Sequence, residues 1–256
     1  MMLTLQAAHT ICRRGRHANL DRGGASAAWI WKHLYLDGTG LPDYAAGRAG
    51  ARIVHDLTSP TYGDTNQPST WAWSWRQPPR PGLPSFPPPE SAISSDTQPG
   101  SCWPMAGNHG TLGIALARPV AIASFTIDHI PRSIAINPGT APRSGELWGV
   151  LAKDAWFTDA LTTVSSELII LNSSAVVRQF RLPDSLEQLY RDYDFVRLGS
   201  FAYDLDYYLP FQTFHLPVET SIALGDTAFD IVLLTISDNW GDQDFTCLYR
   251  VRVHPK

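Results

Sequence analysis

Charge is scarce in this chain. Only 17% of its 256 residues are Asp, Glu, Lys or Arg, and the formal net charge is −4. Without a basic surplus, nothing favours nucleic acid as the main partner. The arginines gather near the start, at Arg13, Arg14, Arg16 and Arg22, rather than along a groove-sized face. Long hydrophobic runs are also missing. The longest, around Leu168–Leu171 and Ile231–Ile236, are of strand length and fall far short of the ~20 residues that span a bilayer. The first twenty residues hold no acid and several arginines, a weak likeness to a transit peptide, and they read more simply as a solvated tail.

Catalytic signatures are missing too. The eight histidines never fall at HxxH or HExxH spacing, and there is no GxSxG elbow, P-loop or GxGxxG. Acids are dense in Tyr190–Asp194 and Tyr203–Tyr208. Paired carboxylates serve glycosidases, but acid–tyrosine mixtures in loops are more often solvated edges. A binding module is therefore expected ahead of an enzyme. There are three cysteines. Cys12 lies in the N-terminal tail, and Cys102 and Cys247 lack the close partners of a zinc site. Composition leaves a bridge and two buried thiols both open, with reduced thiols the default outside an oxidising compartment.

Aromatic residues are abundant, with 9 Trp, 9 Tyr and 10 Phe. Together with many β-branched residues they predict an all-β domain. Alternation places Phe125, Ile127 and His129 on one strand face, and Phe229, Ile231, Leu233 and Thr235 on another. Phe245, Cys247, Tyr249, Val251 and Val253 read as the inward face of one last strand, with Arg250, Arg252 and His254 pointing outward. Turn signals at Asn137-Pro138-Gly139 and Asn239-Trp240-Gly241 complete an antiparallel sandwich.

Three regions separate along the chain. Residues 1–42 are weakly patterned, with a short helix predicted over Ala25–Leu36. Residues 63–90 are Pro-rich and carry Trp71, Trp73 and Trp75, which an extended strand would set on one face. These indoles are expected to pack on their own domain, as a surface cover, rather than to form a bare patch. From Ser91 onward strands dominate, with one or two helical turns within 183–196. Asn172-Ser173-Ser174 is a glycosylation sequon, meaningful in a secretory lumen.

Nine short motifs then stand in a familiar order. They are Asp43-Tyr44-Ala45 with Gly50-Ala51, Thr58–Tyr62, Pro99–Trp103 (PGSCW), Phe125–Pro131 (FTIDHIP), Ala141-Pro142-Arg143, Leu198–Asp204, Gln212–Leu216, Asn239-Trp240-Gly241 and Thr246–His254. In this register the stretch from Asp43 to His254 resembles a SUN domain, and its CWP and TIDH phrases are most similar to fungal members. The resemblance implies an antiparallel β-sandwich of the jelly-roll, galactose-binding-like type over 43–256, with 63–90 as its lid and an insertion within 156–196. It also implies a non-enzymatic adaptor in the perinuclear lumen. Such an adaptor captures the C-terminal tail of a KASH protein by strand addition and carboxylate binding, and so links nucleus to cytoskeleton.

Carried over residue by residue, the peptide-binding positions are His129, Thr140 and Phe245. Thr140 stands where the family usually has Ser, and Phe245 where many members have Tyr. The resemblance pairs Cys102 with Cys247. It makes Asp96, Ser101 and Tyr249 part of a loop for a monovalent cation such as potassium. Thr58 replaces the cysteine with which animal members bond covalently to KASH, so no interchain disulfide is expected there. Homotrimers and membrane attachment would come through a coiled coil and a span upstream of this domain. The alternative is a lectin-like or quality-control lumenal module using Asp204, Asp206 and Tyr207.

Overall fold

Strand formers fill most of the chain beyond Trp103, and they pair accordingly. A computed structural model describes residues 38–63, 86–153 and 168–256. The Ala25–Leu36 helix, Cys12, the Trp71, Trp73 and Trp75 row and the start of the insertion at Trp156 lie outside the described residues. Residues Pro42–Lys256 form one unit and Met1–Leu41 another.

Among the described residues the strands are β1 (Arg52–Val54), β2 (Trp103–Ala106), β3 (Gly110–Val120), β4 (Ile122–Asp128), β5 (Pro142–Ala152), β6 (Ile170–Asn172), β7 (Tyr193–Ala202), β8 (Phe211–His215), β9 (Phe229–Asn239), β10 (Phe245–Leu248) and β11 (Arg250–Pro255). Three α-helices accompany them among the described residues: α1 (Ser173–Phe180), α2 (Ser185–Leu189) and α3 (Val218–Leu224). Every strand pair is antiparallel. A six-stranded sheet runs β1-β3-β9-β5-β7-β6, a three-stranded sheet runs β11-β4-β8, and β10 pairs with β2.

The principal core lies between the large sheet and the two smaller ones. Leu112, Ile114, Leu147, Leu198, Val232 and Leu234 from one side meet Phe125, Ile127, Val251, Val253, Trp103 and Leu248 from the other. This is the antiparallel β-sandwich expected from composition and alternation.

Three expectations are corrected. First, β9 is buried on both faces. Val232, Leu234 and Ile236 enter the principal core, while Leu233 joins Trp148, Val150, Val176, Val177 and Leu186 in a second cluster on the sheet's outer side. That second layer is the α1–α2 pair, which covers apolar side chains that would otherwise face water. Second, Phe245–Val253 is not one strand. It breaks at Tyr249, and its halves belong to different sheets. Leu248, Val251 and Val253 line the principal core, whereas Phe245, Cys247 and Tyr249 line a third, smaller cluster.

Third, Arg250, Arg252 and His254 are not outward-facing but buried. Each found a partner distant in sequence. Arg252 donates to Asp128 Oδ2 from Nε at 3.0 Å and from Nη2 at 2.5 Å. Arg250 Nη2 donates to Asp43 Oδ2 at 2.9 Å. His254 lies 2.8 Å from the Pro42 carbonyl and 2.7 Å from the Thr126 hydroxyl. The segment entering at Pro42 thus straps the last strand, with Tyr44 N–H donating to the Val253 carbonyl. Buried charges survive only when paired in this way.

Candidate functional site

All three proposed peptide-binding residues attach to one stretch of chain, 239–249. His129 follows the end of β4 directly. Its N–H donates to the Pro210 carbonyl, and its ring is buried. Nδ1 lies 2.8 Å from the Ile130 carbonyl, so Nδ1 carries the proton and Nε2 is left as a bare lone pair. Nε2 has no hydrogen-bond partner. The ring meets Tyr249 edge-on at 5.0 Å and Tyr203 at 6.2 Å. Burial holds the imidazole below its ordinary pKa, outweighing the Ile130 carbonyl, which favours the charged form.

Thr140 closes a short 3-10 turn after Asn137. Its hydroxyl donates to the Asn137 carbonyl at 2.8 Å, so its one proton is engaged. The turn is fastened to the β9–β10 loop. Asp242 N–H donates to the Gly139 carbonyl, Trp240 N–H to the Ala141 carbonyl, and Asn137 Nδ2 to Asp242 Oδ2 at 2.7 Å. Burial works to raise the Asp242 carboxyl. The N–H groups of Phe245 and Asp244, with the Asn137 amide, outweigh it and hold the carboxyl below its usual range. Buried Asn239 completes the loop, donating to the Asp242 carbonyl and to Thr246 Oγ1 and accepting from Gly241 N–H.

Phe245 opens β10, opposite Ala106 on β2. Its ring lies 5.0 Å from Tyr62, and Tyr62 lies 5.6 Å from Phe86. Tyr62 stands just before the Pro/Trp-rich segment and Phe86 near its end, so one root meets Phe245 directly and the other packs on Tyr62. Thr61 bridges Met105 beside them, and its hydroxyl accepts from Trp103 Nε1. Beneath Phe245 lies the third cluster: Cys102, Ile130, Cys247 and Tyr249. Cys102 and Cys247, 145 positions apart in sequence, are joined by a disulfide, with Cα atoms 5.4 Å apart. It ties the turn before β2 to the strand carrying Phe245.

The Asp96, Ser101 and Tyr249 loop is closed by its own hydrogen bonds. Asp96 Oδ1 accepts from Gln98 N–H, Oδ2 accepts from the Ser101 hydroxyl at 3.0 Å, and the Tyr249 hydroxyl accepts from Gly100 N–H. No buried polar side-chain atom of this loop lacks a partner. No group of three or more His, Cys, Asp or Glu among the described residues is placed to hold a metal.

Thr58 is buried. Its hydroxyl donates to the Val54 carbonyl at 2.8 Å and accepts from Gly113 N–H at 3.1 Å, so it serves the β1–β3 junction. Tyr62, Tyr203 and Asn239 each sat within a recognised motif, at Thr58–Tyr62, Leu198–Asp204 and Asn239-Trp240-Gly241, but none was singled out as a site residue from sequence.

Comparison with known proteins decides the family. The Sad1/UNC-like C-terminal family matches residues 84–167 and 158–256. The chain belongs to this family, the SUN domains. It is 29% identical over 232 residues to SUN domain-containing protein 5 of Mus musculus, covering 88% of this chain and 47% of that protein. It is 30% identical over 226 residues to SUN domain-containing protein 1 of Homo sapiens, covering 85% of this chain and 22% of the relative. The chain thus spans less than half the length of these relatives. Among solved structures it is similar to a family 32 carbohydrate-binding module from Streptococcus pneumoniae EndoD, at a TM-score of 0.44 and 11% identity over 84% of this chain and 100% of that one.

Proposed function

We propose that this SUN domain is a non-enzymatic adaptor of the nuclear envelope that binds the C-terminal peptide of a KASH protein in the perinuclear lumen. Membership of the SUN family supports the class of partner. The observation that carries the reading is the convergence on residues 239–249. A buried His129 with an unpartnered Nε2, the fastened Thr140 turn and the Phe245 ring surround a cluster made rigid by a disulfide. The disulfide suits an oxidising lumen.

An incoming peptide would lie beside the Phe245 ring, next to Tyr62 and Phe86. Its main chain would add affinity by strand pairing, and its terminal carboxylate would meet the His129 side. Force transfer would further require trimerisation and a membrane anchor supplied upstream of the domain.

The test is binding of a labelled synthetic KASH C-terminal peptide to the trimerised chain, read by fluorescence polarisation. Saturable binding that is lost when one residue is added after the peptide's end is expected. Absence of binding by the trimer sinks the proposal.

A further inference from the structure

The sequon Asn172-Ser173-Ser174 is not used by the peptide site, and its surroundings are specific. Asn172 is the exposed residue preceding α1, and its Oδ1 accepts from Ala175 N–H at 2.9 Å. That is a helix N-cap, which needs only the oxygen of the amide. Among the described residues Nδ2 has no hydrogen-bond partner. Beside it, a polar cleft of about 240 Å³ is lined by Ser173, Ser174, Asp184, Glu187, Gln188 and Arg191. The Ser174 hydroxyl donates to Glu187 and joins the start of α1 to α2 across that cleft. The space is smaller than the roughly 300–1,000 Å³ of drug-sized ligand sites. Its carboxylates, amide and guanidinium suit the hydroxyls and acetamide of a sugar ring.

We infer that Asn172 carries an N-linked glycan whose first N-acetylglucosamine lies in this α1–α2 cleft. The inference rests on the lumenal placement in the reading above. The donor is a polyprenyl-diphosphate-linked oligosaccharide. Its sugar C1–oxygen bond breaks, a C1–Nδ2 bond forms, the amide gives up one proton to a base of the transferase, and polyprenyl diphosphate leaves. The amide oxygen stays in place, so capping and glycosylation coexist. The glycan would sit on the helical layer over the outer side of the six-stranded sheet, whereas His129 and Phe245 of the peptide site stand at the smaller sheets.

The test uses the full chain secreted from a eukaryotic host behind a cleavable signal, with disulfide formation checked on a non-reducing gel. The expected result is a mobility increase on peptide N-glycosidase F treatment and conversion of Asn172 to Asp in the digested peptide. Asn172→Asp, which keeps a capping oxygen, and Ser174→Ala should both migrate like the treated protein. Disulfide-bonded wild-type protein with unmodified Asn172 overturns the inference. Native protein should lose its glycan several-fold more slowly than denatured protein, and Gln188→Ala/Arg191→Ala should abolish that protection. Equal rates in native and denatured wild type would overturn the seating in the cleft. KASH-peptide binding measured on wild type and Asn172→Asp reports separately on the adaptor reading, and the two should match.

Discussion

The ring of His129 stands edge-on to that of Tyr249, 5.0 Å between centroids. This contact joins the end of β4 to the residue at which the last two strands part into different sheets. The Ile130 carbonyl fixes the tautomer and Tyr249 fixes the ring plane, so the lone pair of Nε2 is held in one place within a buried setting. An unpaired buried acceptor costs about 1–3 kcal/mol. Such a cost is usual where a ligand completes the hydrogen bonding.

Stability of the free domain should therefore fall on mild acidification. Burial lowers the pKa of His129, and burial likewise lowers that of His254. The unfolded chain then binds more protons than the folded one between the folded values and the ordinary value of 6.5. The contribution is fully present above about pH 6.5 and is lost as pH drops through the folded pKa values. Urea midpoints measured from pH 7.5 downward should be flat and then decline. His129→Asn should decline less, and an unchanged slope in that variant would count against a buried neutral His129.

Peptide binding should show the opposite trend. The Thr140 proton is engaged by Asn137 and Phe245 has no hydroxyl, so neither donates to a carboxylate without rearrangement. Nε2 donates only as imidazolium, which a neighbouring carboxylate stabilises. Binding would then take up a proton, and Kd should tighten several-fold from pH 7.5 to pH 6, bounded by about tenfold per unit for one proton. His129→Asn should bind with no such dependence. A pH-independent wild-type Kd would mean that Nε2 accepts an N–H of the peptide instead.

Phe245→Tyr should strengthen binding. Phe245 is only partly buried, so an added hydroxyl is tolerated, and a hydrogen bond to a charged group is worth about 1.5–3 kcal/mol. Calorimetry should show Kd tightened by about tenfold or more, with a peptide amidated at its C-terminus gaining much less. Equal gains for the acid and the amide would place the carboxylate elsewhere.

Much of this architecture was legible in the sequence because period-two alternation survives in the strands. What was not legible came from tertiary pairing. Alternation runs unbroken from Phe245 to Val253, since a change of sheet at Tyr249 does not disturb its phase. Arg250 and Arg252 read as solvated because their acids, Asp43 and Asp128, lie 207 and 124 residues away. A helix as short as α1 carries too few turns to reveal a pattern, so although a turn or two was expected where α2 stands, the layer the pair forms over Leu233 and Trp148 was unseen. At the site, the motif positions marked His129, Thr140 and Phe245. That the Thr140 proton is already engaged depends on a turn geometry which the residue types do not dictate.

Removing the Cys102–Cys247 bridge should cost about as much as truncating a large buried core residue. In the chain-entropy model a loop of this length contributes about 4–5 kcal/mol. Cys102→Ser/Cys247→Ser should lower the Tm, and it should weaken peptide binding even well below the new Tm, because the bridge holds the floor under Phe245. Full-affinity binding by the double variant would show that the floor is held by packing alone.

The Arg252–Asp128 pair offers a sharper test of what holds β11 to β4. Both side chains are about 5% exposed, and two guanidinium nitrogens reach one carboxylate oxygen. Arg252→Met deprives the buried Asp128 carboxylate of its guanidinium partner, a change worth about 3–5 kcal/mol. Replacing both partners removes the stranded charge as well as the attraction. Arg252→Met/Asp128→Leu should therefore recover most of the loss, since buried pairs often add little over apolar residues of similar volume. Denaturation of the three proteins at pH 7.5 reads this directly. If the double variant is no better than the single one, the pair contributes more than mutual neutralisation, and the Asp128 carboxylate is needed to hold the end of β4 that presents His129.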